Sequence, residues 1–333
     1  MVGGPVGWGV AGTGWVARDY VIPAIRASAN GRLLALHDRD PAAMPGVTTD
    51  LAGFLATPGL DAVYVATPNH AHRPLVEAAA ARGLHILCEK PMAATVADAE
   101  AMVAACARVR YATAFDQRFH PAHVEMARLI AAGALGRVFA VRITYACWLP
   151  GDWAADNWRV DRNRAGGGAL MDLAPHGLDL VQMLLGEAIA DITALGQQRV
   201  HAYADPSVED GAMIVARTDA GTLIQSHVAY NTPDALPRRR LEVVGTAAQL
   251  VAIDTMGQVA GGSLTFIDAC SGQSRRIDVP GIDRSPFLNQ IEAFAAYVRG
   301  GPFPSSAGAD LALMRLIARA QDMARLSVWR DAA

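Results

Sequence analysis

At 333 residues the chain exceeds what one core of ordinary size holds, and it reads as two domains. With 52% apolar and 18% charged residues and no low-complexity tail, it is globular and not disordered. A formal charge of -3 with only short basic clusters, such as Arg238-Arg239-Arg240 and Arg275-Arg276, argues against a nucleic-acid partner, and no apolar run is long enough for a membrane span.

The first third alternates short β-branched runs with Ala-rich stretches. Strands are predicted over 5–12, 33–38, 61–67, 84–89 and 110–115, and helices over 14–28, 50–56, up to 82, and 95–108. Strands alternating with helices imply a parallel sheet wound on both faces. From about residue 120 the rhythm changes. A helix ends near Ala132, and "RVFAVRITYACW" (137–148) reads as a long strand. After "GGGALMDLAPHGLDL" (166–180) come strands at 189–200, 212–218, 221–230, 239–246, 248–253, 263–268 and 274–279, joined by short turns such as "TDAGT". Those turns predict a mostly antiparallel sheet. Helices over 286–299 and 308–326 close the chain. The domains are expected at 1–119 and 120–333, in an α/β chain.

Cys88, Cys106, Cys147 and Cys270 lack any Cys-x-x-Cys or His-Cys spacing, so no metal site and no disulfide framework is expected. Reduced thiols and an N-terminus without a basic, apolar leader fit a cytoplasmic protein.

"GVAGTGWVA" sets Gly12, Gly14 and Ala17 as G-x-G-x-x-A after a strand and at the start of a helix. Small residues there allow a tight turn and close approach of a pyrophosphate, which lies at the positive end of the helix. Asp38 ends the second strand, where a carboxylate accepts hydrogen bonds from the adenosine ribose. It would repel a 2′-phosphate and argues for NAD, while Arg39 beside it could attract one and keeps NADP open.

Two loops follow strand ends, where ligands of open α/β sheets bind. "ATPNHAH" reads most simply as a turn that starts a helix, with His70 and His72 exposed in its first turn. In "CEKP", Pro91 forces Lys90 out of helical geometry, so Lys90 should project from the strand end. The set expected around the cofactor is Gly12, Thr13, Gly14, Trp15, Ala17, Asp38, Arg39, Thr67, Pro68, Asn69, His72, Glu89 and Lys90.

These segments, with "DQRFHPAH", "AAGALGRV", "WRVDRNRAGGGALMDLAPHGLDL" and "LEVVGTAAQL", resemble in order and over nearly the whole chain the Gfo/Idh/MocA oxidoreductases, which include inositol dehydrogenases and glucose-fructose oxidoreductase. The resemblance implies an N-terminal Rossmann domain with a doubly wound parallel sheet. It also implies a C-terminal α/β domain whose large, mostly antiparallel sheet makes homodimer or homotetramer contacts. Lys90 matches the family's EKP lysine, with a cis bond to Pro91 expected, and Asp172 and His176 match its D-x-G-x-H motif. Ala174, followed by Pro175, stands where the family usually has glycine.

The expected activity is NAD(P)-dependent oxidation of a secondary alcohol of a sugar, polyol or sugar acid. His176 serves as general base, Lys90 hydrogen-bonds the reacting oxygen, and Asp172 holds a neighbouring hydroxyl. Asp179 fits a buried structural network and stands outside the catalytic set. Arg118, Trp148, Arg159 and Asp161 are candidates for the substrate side, with salt-bridged surface or, for Trp148, core as the alternative. Three arginines within 159–164 would also suit an anionic substrate. An NAD-dependent glycosidase and a non-catalytic NAD-binding regulator, both present in the family, remain as alternatives.

Overall fold

The computed structural model describes residues 4–149, 157–201, 203 and 205–326. The chain forms two compact units: residues up to Asp116 with Phe287–Met314, and Gln117–Pro286 with the chain from Arg315 on.

In the first unit six strands lie in the order β3-β2-β1-β4-β5-β6: β1 (Val6–Ala11), β2 (Gly31–His37), β3 (Val47–Thr48), β4 (Ala62–Val65), β5 (His85–Glu89) and β6 (Tyr111–Ala114). Every pairing is parallel. β1, β4 and β6 are buried at every position, as strands covered on both faces must be. A π-helical turn at Ala17–Val21 runs into α1 (Ile22–Ala27), followed along the chain by α2 (Leu51–Leu55), α3 (His72–Ala81) and α4 (Val96–Ala105). Asp50 and Thr95 cap α2 and α4 by accepting the amides of Ala52 and Asp98. The neighbours of β1, β2 and β4, lie on opposite sides of it, so the glycine turn after β1 stands where the strand order reverses.

The second unit opens with α5 (Pro121–Ala131). Its eight strands lie in the order β14-β13-β12-β11-β7-β10-β9-β8: β7 (Val138–Ala146), β8 (Ile189–Gln197), β9 (Gly211–Thr218), β10 (Leu223–Ala229), β11 (Arg239–Gly245), β12 (Ala248–Ile253), β13 (Ser263–Asp268) and β14 (Ser274–Ile277). Only the β7–β10 pairing is parallel among those described. Between β7 and β8 lie α6 (Arg162–Ala165) and α7 (Ala169–Leu185), and α7 packs on β7, β8, β9 and β10. Gly177 permits the approach, since a Cβ there would stand 3.0 Å from Ile143 Cδ1.

The closing helices are α8 (Pro286–Val298) and α9 (Ala307–Leu326). The sequence places everything after residue 119 in the second domain, whereas the structure returns 287–314 to the first unit. Phe287, Ile291 and Phe294 of α8 bury in the core around Trp8 and Val21, with Phe287 stacked on Tyr20 at 5.2 Å. Helical periodicity shows that α8 has an apolar face but not which sheet covers it.

At the head of α5, His120 Nδ1 accepts the Ala122 amide at 3.1 Å, and the His123 ring spans Gln117 O at 2.7 Å and Thr255 Oγ1 at 2.9 Å. Burial pushes His120 down to about 4 and His123 to about 3, the latter with help from His120. Unfolded, both would titrate near 6.5. The neutral rings therefore contribute their full stability above that value, and stability falls as pH drops from 6.5 toward 4. We predict that the melting temperature declines over this window and that His120→Asn, which keeps an oxygen cap but cannot titrate, flattens the decline. Parallel pH profiles for the two proteins would contradict this assignment.

Candidate active site

Gly12 takes a left-handed φ of +88°, and a Cβ on it would come within 2.7 Å of the Ala66 carbonyl, so only glycine fits the turn. Over Gly14 a Cβ would meet nothing within 4 Å, which leaves open space at the head of the helix. Ala17 is fully buried where this helix meets the sheet. Asp38 Oδ2 receives the Thr13 amide at 2.7 Å and its hydroxyl at 3.0 Å, and Oδ1 receives the Asp40 amide at 3.1 Å. Burial pushes the Asp38 carboxyl up, but the Thr13 and Asp40 donors outweigh it and hold it below the ordinary carboxylate value. Asp38 thus fixes the glycine turn, a tie that the sequence does not reveal. Trp15 meets Tyr20 edge-on at 5.9 Å, and Arg39 is exposed.

Beyond β4, Pro68 and the buried Asn69 begin a short 3-10 turn, and the Thr67 hydroxyl is buried without a hydrogen-bond partner among the described residues. His70 is exposed as expected, but His72 is fully buried. Its Nε2 lies 2.9 Å from Thr67 O and its Nδ1 3.2 Å from Met92 O, so both nitrogens face the protein's own loops. Beyond β5, Glu89 Oε1 accepts the Tyr64 hydroxyl at 2.6 Å and Oε2 accepts the Lys90 amide at 3.2 Å. Lys90 is half-buried and its bond to Pro91 is cis. The open cradle over Gly14 and the orphaned Thr67 hydroxyl fit a bound dinucleotide.

In the second unit, Asp172, His176 and Asp179 lie four and seven residues apart, along one side of α7. Asp179 forms a buried, two-pronged ion pair with Arg118, with Arg118 Nε 2.5 Å from Asp179 Oδ2. Arg118, expected on the substrate side, is thereby committed to the scaffold, and Asp179 keeps the structural part read for it. The His176 ring stands edge-on to Tyr145 at 5.6 Å. The Tyr230 hydroxyl is fully buried and donates to Asp172. Burial pushes that hydroxyl well up, the Asp172 charge pushes the same way, and the Arg159 guanidinium opposes them. The Arg159 charge therefore reaches Tyr230, and its guanidinium lies over the Trp158 ring at 4.5 Å. Asp161 caps α6 through the Asn163 amide at 3.0 Å, and Trp148 packs on His201 at 4.8 Å.

The three glycines ahead of α7 each have a packing reason. Gly166 is left-handed at φ +87°, while Gly167 lies under Gln321 and Gly168 against Glu209, and a Cβ at either of these two would collide. Gly168 offers α7 no side-chain cap. Instead the buried Glu209 Oε1 accepts the Gly168 and Leu170 amides at 3.1 and 2.9 Å. Burial pushes the Glu209 carboxyl up against the pull of those amides.

A family model described as "Oxidoreductase family, NAD-binding Rossmann fold" matches residues 6–112, and one described as "GFO/IDH/MocA C-terminal domain" matches residues 123–251. The chain belongs to the GFO/IDH/MocA oxidoreductase family. Among its relatives, 1,5-anhydro-D-fructose reductase of Ensifer adhaerens is 33% identical, covering 91% of each chain. D-xylose 1-dehydrogenase (NADP(+)) 2 of Haloferax volcanii is 31% identical over 89% of this chain and 90% of its own. The aldose-aldose oxidoreductase of Caulobacter crescentus, solved with glycerol, superposes with a TM-score of 0.86 at 26% identity, covering 97% of this chain and 98% of that one. This GFO/IDH/MocA member is an oxidoreductase, and its first unit is an NAD-binding Rossmann domain. No helix among the described residues is long and apolar enough to cross a membrane.

Sequence reasoning missed Tyr230 and Glu209, because each reaches α7 only through sheet pairing far along the chain. It also passed over a plain count. Lys90 is the only lysine in this chain, every other cationic side chain of that class being arginine. An ammonium kept at one position alone points to a task that a guanidinium cannot do.

The Arg118–Asp179 pair yields a stability prediction. Arg118→Leu leaves a buried carboxylate unpaired and should cost about 3 to 5 kcal/mol in urea unfolding, and the double change Arg118→Leu with Asp179→Leu should recover much of it. A loss below about 1 kcal/mol for the single variant would show that the pair is solvated.

Proposed function

We propose that this chain catalyses reversible hydride transfer between NAD and a secondary alcohol carbon of a sugar, polyol or sugar acid. The observation that carries the reading is the pairing of Asp172 and His176, one turn apart on α7, with the buried Tyr230 hydroxyl on Asp172. The relatives whose names specify a reductase of anhydrofructose and a dehydrogenase of xylose support a carbohydrate substrate.

When bound, NAD supplies the hydride acceptor. A ring nitrogen of His176 takes the hydroxyl proton as the C–H bond gives up its electron pair and the carbonyl forms. The Lys90 ammonium, at the end of β5, is the cation this reading assigns to the alkoxide charge that develops in the reaction. Asp172, held by Tyr230, fixes a neighbouring hydroxyl and with it the carbon to be oxidised. In reduction the same groups return the proton. Thr13, Gly14, Trp15, Thr67, Pro68 and Asn69 would hold the dinucleotide, and Asp38 would favour NAD over NADP because its ionised carboxylate repels a 2′-phosphate. His72, buried beneath the loops, is moved from the contact set to the scaffold.

We also assign the open face of the large sheet to a second copy of the chain. Leu195, Met213, Val215 and Leu223 stand exposed on adjacent strands there, and such an apolar face suits a closed, symmetric contact. We also place the chain in the cytoplasm, whose reducing conditions suit four cysteines of which none forms a disulfide among the described residues.

An absorbance screen at the NADH band against sugars, inositols and sugar acids should find an oxidised substrate with higher kcat/KM for NAD than for NADP. His176→Ala and Lys90→Ala should then each lower kcat about 100-fold or more while NAD affinity stays within a few-fold of wild type. Unchanged turnover in either variant removes that residue from its role. Bond cleavage with no net NADH would favour the glycosidase instead.

A further inference from the structure

Lys90 has to be held from its backbone, because it and Pro91 lie past Glu89, the last paired residue of β5. On its N-terminal side the hold is visible: Tyr64 donates to Glu89, and Glu89 accepts the Lys90 amide. On the C-terminal side the Met92 carbonyl meets His72 Nδ1 at 3.2 Å. The other ring nitrogen reaches Thr67 O at 2.9 Å, in the loop beyond β4. Met92, like His72, is almost wholly shielded from solvent. A single imidazole thus spans the two loops that carry the proposed catalytic lysine and part of the proposed cofactor contacts.

We propose that His72 is a positioning residue for Lys90, tying the segment Lys90-Pro91-Met92 to the Thr67 loop so that the ammonium stands at one fixed height above the sheet edge. The inference rests on the catalytic reading of Lys90 given above. Both partners are carbonyl oxygens and a neutral ring carries a single N–H, so one contact at a time is a hydrogen bond; donation from Nδ1 to Met92 O is the arm that holds the Lys90 segment. Alanine at 72 supplies none. Asparagine places its amide nitrogen near the position of Nδ1 and keeps the Met92 side of the link. Glutamine places it near Nε2 and keeps the Thr67 side. Burial pushes the His72 ring toward its neutral form, in which it donates through one nitrogen at a time.

Because Lys90 is the only lysine, reductive methylation with 13C-formaldehyde gives one side-chain dimethylamine signal in the NMR spectrum, beside that of the α-amino terminus. That signal reads the surroundings of Lys90 without any substrate. We expect His72→Ala to move it toward the position of a free dimethyl-lysine and His72→Asn to leave it near the wild-type position, with His72→Gln resembling the alanine variant. With whichever sugar the screen identifies, unmethylated His72→Ala should lose about 10- to 100-fold in kcat at nearly unchanged NAD affinity. Adding it to Lys90→Ala should cost nothing more. Should the alanine variant fail to fold, the asparagine and glutamine variants carry the test alone, and equal signals and equal kcat for those two overturn the proposal. An unmoved signal in His72→Ala, or a kcat loss that adds in full to that of Lys90→Ala, overturns it as well. If Lys90→Ala itself retains activity, the catalytic reading of Lys90 fails and the positioning role falls with it, whereas a defective Lys90→Ala beside a normal His72→Ala refutes the positioning role alone.

Discussion

A helix that carries both proposed site residues, Asp172 and His176, must have its start fixed, and the first turn of α7 has no capping side chain of its own. The constraint is met by Glu209, a buried carboxylate that accepts two first-turn amides and whose backbone carbonyl takes a third, from Ala169. An anion at this end of a helix also matches the direction of the helix dipole. Gly167 and Gly168 leave room for the Gln321 and Glu209 contacts, and Gly166 supplies the left-handed turn before them. About three turns farther on, the Arg118–Asp179 pair fixes the rotation of the same helix. Between those anchors stand Asp172 and His176, so their spacing is set by scaffold groups and not by the residues themselves.

Pro175 makes that anchoring necessary. Without an amide it leaves the Met171 carbonyl without its helical partner, and an interior proline costs a helix about 3 kcal/mol. The helix nevertheless continues to Leu185, with Ala174, Pro175, Gly177 and Leu178 all buried and Gly177 against Ile143 of the sheet. Tertiary packing here overrides local propensity. The same holds at Ala17–Val21, where a π turn interrupts the helix behind the glycine cradle, a geometry that propensity does not signal.

Most of the element order was legible because both periodicities are strong. β9 alternates buried and exposed residues along nearly its whole length, and β1 is a continuous apolar run. Elements too short for periodicity, the two-residue β3 and the four-residue α6, were not legible. The glycine turn, Asp38, Lys90, Asp172 and His176 were marked by motif and spacing. Tyr230 and Glu209 were not, since nothing local distinguishes a strand-end tyrosine or a loop glutamate from any other. The partners of Arg118 and His72 were hidden for the same reason: an arginine and a histidine near motifs look like ligand contacts until Asp179, and the carbonyls of Thr67 and Met92, are seen to occupy them.

The chain thus uses arginine wherever it needs a fixed cation and reserves its one lysine for the end of β5. That choice has chemical sense if a hydroxyl oxygen must gain and lose negative charge beside it. The central claim is hydride transfer at a carbohydrate carbon, and isotope transfer tests it most directly. The reaction is run with NADH carrying deuterium at both C4 positions and a ketose or lactone partner found in the screen. The account predicts one deuterium on the new carbinol carbon of the product and none exchanged from solvent at that carbon. A reduced product whose carbinol hydrogen comes from water would contradict it.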